Sequence, residues 1–473
     1  MVKVFKRYRN RTSAANAWVS LNIRELAIAK RLKIMLRYKQ RALHVEEGLN
    51  AENLHNAAYI YHLRRQIILL RVYIIQIVTY DTEIVQRQVF TSKKRTIDSF
   101  HNDECNTTFR FHKNELHRLK LALKVPDFLI YKISGVNNNR FRGEECMLIF
   151  LQHMATGAHF STYSYTYGIK SDMLSRMFKV FLLWFWENWS FLIIDDVQRW
   201  VQYYPNFNTA IGIAMKKVNN EVINEAIVQR NQGNIVDNWK FEELPDNNGD
   251  GVASNNLCGF IDCTVQETCR PGSGPATPGL GAPRQQDAYL RQRFWYNGYQ
   301  KFHGFKYEGI VFPNGLLLRV AGPSTIRNND AWFLAAYQTN QFLHAPQLEH
   351  YVNVPNPPIY KIFGDGAYPY QTALTRRRQE PLNNAQKMEA HCQSSLRVSV
   401  EHFFSEIGKF WPIVRRWESL KVFTQNENTV TLIYKSACLL KNFHSCLRGN
   451  IFDKYNLITP RLEEYCTKPE DRE

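Results

Sequence analysis

The sequence lacks an uninterrupted apolar run of the length a membrane crossing requires. Its two most apolar stretches are Gln66–Tyr80, which is short and carries Arg71, and Phe178–Asp195, which contains Lys179, Glu187 and Asn188. A spanning helix needs about 20 largely apolar residues, so both read as buried helices and no membrane association is expected. No secretory signal is evident either: Met1–Asn10 is basic, and no apolar core with a small-residue cleavage site follows. Cysteine is sparse. Nine are scattered over 473 residues, an odd number without paired spacing, which argues for a reducing compartment rather than a disulfide scaffold. With 13% aromatics and only 22% charged residues, the chain also lacks the composition of a disordered or collagenous protein. Two chemistries lack their signatures. There is no G-x-x-x-x-G-K-[ST] loop for ATP and no nucleophile elbow or Ser-His-Asp arrangement.

What the sequence does have is positive charge. It carries 60 Lys and Arg against 43 Asp and Glu, a formal net charge of +17. The excess is concentrated in residues 1–45, where Lys3, Lys6, Arg7, Arg9, Arg11, Arg24, Lys30, Arg31, Lys33, Arg37, Lys39 and Arg41 face a single acid, Glu25. Such an arm attracts polyphosphate through counterion release and suits nuclear import, so DNA and the nucleus are the expected partner and location. A solvated helix face is the plainer reading, since Leu21–Leu43 has apolar residues at helical spacing.

The length suggests about three domains. Residues 1–106 read as a basic helical region and 107–245 as an all-helical domain. Within the latter, Glu144–Thr156 is apolar at helical spacing and Gly157 ends it. Phe160–Tyr167 follows, then Gly168, and Ser171 suits the N-cap of Asp172–Trp186. Short helix, glycine turn and longer helix have the spacing of a helix-turn-helix, with Lys170, Ser171, Arg176 and Lys179 offered to DNA; an ordinary helical bundle uses the same glycine. Residues 246–256 form a polar, glycine-rich linker. It imitates a calcium loop through Asp246, Asn248, Asp250 and Gly251, but Leu257 stands where the bidentate carboxylate belongs, which excludes calcium. A second linker is Pro271–Pro283.

From 257 to 450 the pattern is mixed, and 451–473 reads as a tail. Leu257–Thr264 is a short apolar run ending near Asp262. Tyr299–Phe312 and Leu316–Val320 are strands around a Pro313-Asn314-Gly315 turn, and Ala331–Leu343 is a helix. Ile359–Phe363 is a buried strand before Gly364-Asp365-Gly366, and Ser394–Phe410 and Thr429–Leu447 are helices. This order predicts an α/β domain, a mixed sheet with helices on its faces.

Three carboxylates stand out. Asp262 and Asp365 lie at strand ends, which converge on one sheet edge, and Glu401 lies on a helix that packs beside it. Acids gathered in this way repel one another unless a cation neutralises them. Carboxylate ligands suit Mg²⁺ or Mn²⁺, and such ions serve in-line phosphoryl transfer. Taken singly, an Asp beside glycines is more often a turn residue. Glu406 is a rival third acid, but five residues beyond Glu401 it points about 140° away on a helix.

These residues resemble the motifs of PIF/Harbinger-type DDE transposases and their nuclease relatives. Gly259-Phe260-Ile261-Asp262-Cys263-Thr264 is similar to the first catalytic motif. Tyr296-Asn297-Gly298-Tyr299, His303, Lys306 and Pro313-Asn314-Gly315 resemble the next block, and Gly322-Pro323 with Asn329-Asp330 the one after it. Gly364-Asp365-Gly366-Ala367-Tyr368-Pro369 resembles the second catalytic motif, and Arg397-Val398-Ser399-Val400-Glu401-His402-Phe403-Phe404 the third. The resemblance spans about 257–447, with weaker likeness over 107–200. It implies an RNase H-like fold, Asp262, Asp365 and Glu401 as metal-binding and catalytic residues, and Mg²⁺- or Mn²⁺-dependent cleavage and joining of DNA strands. It further implies a Myb-like DNA-binding partner, with which the lack of an evident Myb-type tryptophan repeat is compatible, and assembly as a homo-oligomer on DNA. Three positions depart from the family: Cys263 and Ser405 replace the usual glycines, and Gly408 a frequent lysine. Cys263 is expected to crowd the backbone turn. These departures leave an alternative, a domesticated and catalytically silent DNA-binding or chromatin-associated protein.

Around these motifs, Arg291–Tyr307 interleaves bases and aromatics (Lys301 and Lys306 among them) in a manner suited to DNA, although an alternating strand would bury the aromatics. Arg376, Arg377 and Arg378 are expected near the active edge as backbone contacts. Asp330 is either an auxiliary acid or the cap of Ala331–Leu343, and His303 and His402 are read as structural. Cys258, Cys263 and Cys269 lack zinc spacing.

Overall fold

The computed structural model describes residues 66, 67, 70, 95–131, 139–244, 256–270, 292–376, 382–420 and 427–471. The basic arm, almost all of Gln66–Tyr80, the linker 246–256 but for Asn256, all of Pro271–Pro283, Arg291, Arg377 and Arg378 lie outside them. The chain divides into two compact units: Met1–Arg95 with Ala158–Arg176, and Thr96–Gly157 with Met177–Glu473.

In the first unit, the described residues include helix Phe160–Tyr167 and the opening of helix Ser171–Trp189. The shorter helix ends where Gly168 adopts φ +65°, the left-handed conformation that glycine takes without strain. Arg176 is half-buried here, with Asp172 one turn before it at 3.9 Å.

The second unit opens with helices α1 (Asn102–Phe109) and α2 (Lys113–Ala122), then a hairpin of β1 (Phe128–Tyr131) and β2 (Asn139–Arg142). Helix α3 (Gly143–Thr156) follows; with Phe160–Tyr167 of the first unit counted as α4, the later turns of Ser171–Trp189 (α5) lead on to the 28-residue α6 (Tyr204–Asn231). By length and composition the run Ser171–Val201 would cross a membrane. Its apolar side is instead core: Phe181 and Phe185 are fully buried, and Phe185 packs on Phe150 of α3 and on Phe443. Helix α6 lies across the sheet, with Phe207 against Phe312 at 4.8 Å between ring centres.

The sheet has six strands: β3 (Leu257–Glu267), β4 (Tyr296–Asn297), β5 (Phe302–Val311), β6 (Leu317–Thr325), β7 (Lys361–Gly364) and β8 (Leu374–Arg376). Their order is β4-β5-β3-β7-β8, with β6 also on β5. The β3, β5 and β6 pairs are antiparallel, whereas β7 and β8 run parallel to β3, so this is the mixed α/β sheet that the sequence pattern predicts. The β5–β6 turn has Gly315 at φ +81°, as Pro313-Asn314-Gly315 requires.

Helices cover both faces. On one lie α7 (Asp330–Ala336) and α8 (Thr339–His350); on the other lie α9 (Asn384–Phe410) and α10 (Glu427–Arg448). Two boundaries differ from expectation. The helix expected over Ala331–Leu343 is two helices, broken where Gln338 takes φ +50°. Helix α9 begins ten residues earlier than Ser394, because Asn383 and Gln386 form a capping box. Residues 451–471 are packed rather than trailing: Tyr455 and Tyr465 are buried.

Candidate active site

Asp262 lies in the interior of β3, not at its end. On the β5 side the antiparallel ladder continues past it to Glu267. On the β7 side the parallel ladder runs Gly259–Ile362 and Phe260–Phe363 and stops at Gly364. Asp365 therefore emerges just as β7 ends, two residues beyond Phe363, level with Asp262 two residues beyond Phe260. Neighbouring strands stand about 4.8 Å apart, so the two aspartates share one place on the sheet. Asp365 Oδ1 accepts from the Ala367 N–H at 2.9 Å, which ties it into the turn.

The third acid comes from α9. This helix packs on β3, close enough at Gly309 of β5 that an added Cβ would meet the Phe404 ring at 2.6 Å. Arg397 and Glu401 are one turn apart on it. Arg397 Nη1 donates to Asp262 Oδ2 at 2.9 Å, and Nη2 reaches Glu401 Oε1 at 2.7 Å. One guanidinium thus bridges the strand acid and the helix acid. Asp262 Oδ1 accepts from the Cys263 N–H at 2.8 Å. Burial pushes the Asp262 carboxyl up to about 6; Arg397 and the Cys263 N–H pull it back, and Asp365 and Glu401 add to the rise. Asp262 thus feels the charge of both other acids.

Cys263 does not crowd a turn, because position 263 is within the strand. Its side chain takes the opposite face from Asp262, where Sγ lies 3.4 Å from the Tyr368 hydroxyl. That face carries a second polar group. Lys306 of β5 is bonded to Asp330, and Glu308 is buried with Oε1 accepting from Thr339 Oγ1 at 2.7 Å. The cap of α7 is Asn329, whose Oδ1 accepts from Trp332 N–H, so the expected cap, Asp330, has a different task. Lys306 and Asp330 are mutually paired and only 14% and 16% exposed. Glu406 pairs with Lys409 at 3.2 Å.

Residues 261–442 match the family model of the DDE superfamily endonuclease. The match begins one residue before Asp262 and closes within α10, so it takes in all three acids and supports a transposase-like nuclease. No curated protein and no solved structure matches the chain.

Within this matched segment, Arg376 of β8 stands beside Gly364 in the parallel register and donates from Nη1 to Gly366 O at 2.9 Å. It is thus next to the Asp365 turn. Lys301 is exposed at φ +62° in the β4–β5 turn. Among the described residues no group of three or more His, Cys, Asp or Glu is gathered closely enough to hold a metal ion. The donor chemistry nonetheless suits a hard divalent cation, being all carboxylate oxygen. As they stand, one oxygen each of Asp262 and Glu401 is given to Arg397, the positive charge at this place. Sequence reasoning took Arg397 only as a motif residue. Its spacing of four before Glu401 was the available signal, because i and i+4 share a helix face.

Proposed function

We propose that the chain is a divalent-metal-dependent DNA endonuclease and transposase of the PIF/Harbinger type, built on an RNase H-like fold. The observation that carries this reading is the level placement of Asp262 on β3 and Asp365 just past the end of β7, with Glu401 joined to Asp262 through Arg397, inside the segment that matches a DDE endonuclease. Asp262 and Asp365 would hold Mg²⁺ or Mn²⁺, and Glu401 would complete the ligand set. A bound divalent ion would supply charge neutralisation at the scissile phosphate and a lowered pKa for the attacking water. The chain's own groups orient the site. The Cys263 N–H fixes one Asp262 oxygen, the Ala367 N–H fixes one Asp365 oxygen, and Arg376 offers its charge to the backbone of DNA lying along this edge. Lys301, and Arg176 with the helix-turn-helix-like unit, are further DNA contacts in this reading. The net charge of +17 suits a polyanionic substrate and a nuclear location. Assembly as a homo-oligomer on DNA and a Myb-like partner belong to the same reading.

The test is cleavage, with Mg²⁺ or Mn²⁺, of DNA carrying the sequences that flank the chain's own gene. Asp262→Asn, Asp365→Asn and Glu401→Gln should each lower the rate by at least ~10³-fold, the several kcal/mol of charge stabilisation that a metal site supplies. DNA binding by filter retention should remain. Undiminished cutting by any one variant removes that residue from the mechanism.

A further inference from the structure

Arg397 sits where it must compete with a metal. Of the two oxygens of Asp262, Oδ1 is held by a backbone N–H and Oδ2 by Arg397 Nη1. The inward Glu401 oxygen is 2.7 Å from Arg397 Nη2. Hence a cation that reached Asp262 Oδ2 and Glu401 Oε1 together would meet the guanidinium between them. Arginine keeps its proton at any working pH, so it cannot yield by becoming neutral. Like charges at contact distance repel, and the repulsion is little screened where the Asp262 and Arg397 side chains are only 17% and 21% exposed. The guanidinium can yield only by moving, and Glu401, 48% exposed, leaves the solvent side open for that. The fork geometry of arginine, freed from carboxylates, equally suits phosphate.

We propose that Arg397 is a built-in counter-cation. It holds Asp262 and Glu401 together in the metal-free protein and must be displaced before a divalent ion enters, so it sets a threshold concentration for metal uptake. The proposal rests on the metal site proposed above and concerns its regulation. Arg397 is here a positioning residue for the two acids.

The test titrates Mn²⁺ into the full chain without DNA, at pH 8 and low salt, reading free Mn²⁺ by electron paramagnetic resonance. Arg397→Gln should bind Mn²⁺ about tenfold more tightly than the unaltered protein, the scale of one part-buried ion pair. Arg397→Lys keeps the charge but loses the fork, and should tighten binding by roughly threefold; it decides the matter if the glutamine variant does not fold. Unchanged or weaker Mn²⁺ binding in a folded Arg397 variant overturns the proposal, because the arginine would then be a support for the ligands. If the unaltered protein shows no Mn²⁺ binding that Asp365→Asn abolishes, the metal site itself fails and the proposal with it, an outcome distinct from the former.

Discussion

Lys441 shows how much a single residue can hold in tension. It is 1% exposed, with the Phe403 and Phe410 rings 6.0 and 5.7 Å from its ammonium and Ser445 Oγ as hydrogen-bond acceptor at 3.2 Å. Burial lowers its pKa from 10.5 to about 8; Glu406 and Cys446 oppose that fall, and Arg448 and Lys409 add to it. With the folded value below the unfolded one, the unfolded chain binds more protons between about pH 8 and 10.5, and stability rises with pH across that window. Below it, the cost of burying the ammonium is fully present. Lys441→Met should therefore stabilise the protein by roughly 1–3 kcal/mol at pH 7, a gain that urea titrations should find shrinking by pH 10. At the same scale, Gly408 leaves room for a neighbouring arginine. Arg415 Nη2 donates to Ser405 O at 3.2 Å, and a Cβ on Gly408 would meet Arg415 Nε at 2.0 Å. An arginine from the following turn thus brings its charge close to Gly408.

Among the elements, α10 and β6 are fastened by one side chain. Asn442 Oδ1 accepts from Leu317 N–H at 2.9 Å, and its Nδ2 donates to Leu317 O at 2.8 Å. It thereby supplies both hydrogen bonds that a further strand would have given that residue. Asn442 is fully buried, so Asn442→Ala should leave two backbone groups unpaired and cost about 2–5 kcal/mol, seen as a lower Tm and as faster hydrogen exchange at Leu317. Elements with a clear period were legible from the sequence: β5, its turn, the start of β6, and most of α9 and α10 fall where alternation or helical spacing puts them. The first turns of α9 were not, because a capping box and polar residues carry no apolar period. The extension of β3 beyond Asp262 was not either, because its partner β5 supplies the pairing from elsewhere in the chain.

For the whole molecule, the matched segment 261–442 does not contain its own core. Tyr455 hydroxyl meets Ser399 Oγ at 2.9 Å, Tyr465 hydroxyl accepts from Asn442, and Phe111 packs on Trp411 from the other end of the unit. Phe207 of α6 covers Phe312. A fragment of residues 257–450 loses all of these partners and exposes large aromatic faces, each worth about 1.5–3 kcal/mol when buried. It should show no cooperative melt by circular dichroism and rapid proteolysis, while the full chain shows both a melt and protection.

By itself the sequence determined the positive charge, the mixed α/β pattern and the three candidate acids, because composition, periodicity and motif spacing are written in residue order. Only tertiary structure decided that Asp262 and Asp365 stand level, that Arg397 rather than another side chain joins Asp262 to Glu401, and that Lys306 and Asp330 satisfy each other on the far face. The first two depend on strand register and on how α9 packs against the sheet. Both are set by contacts between residues more than a hundred positions apart, which no local pattern encodes.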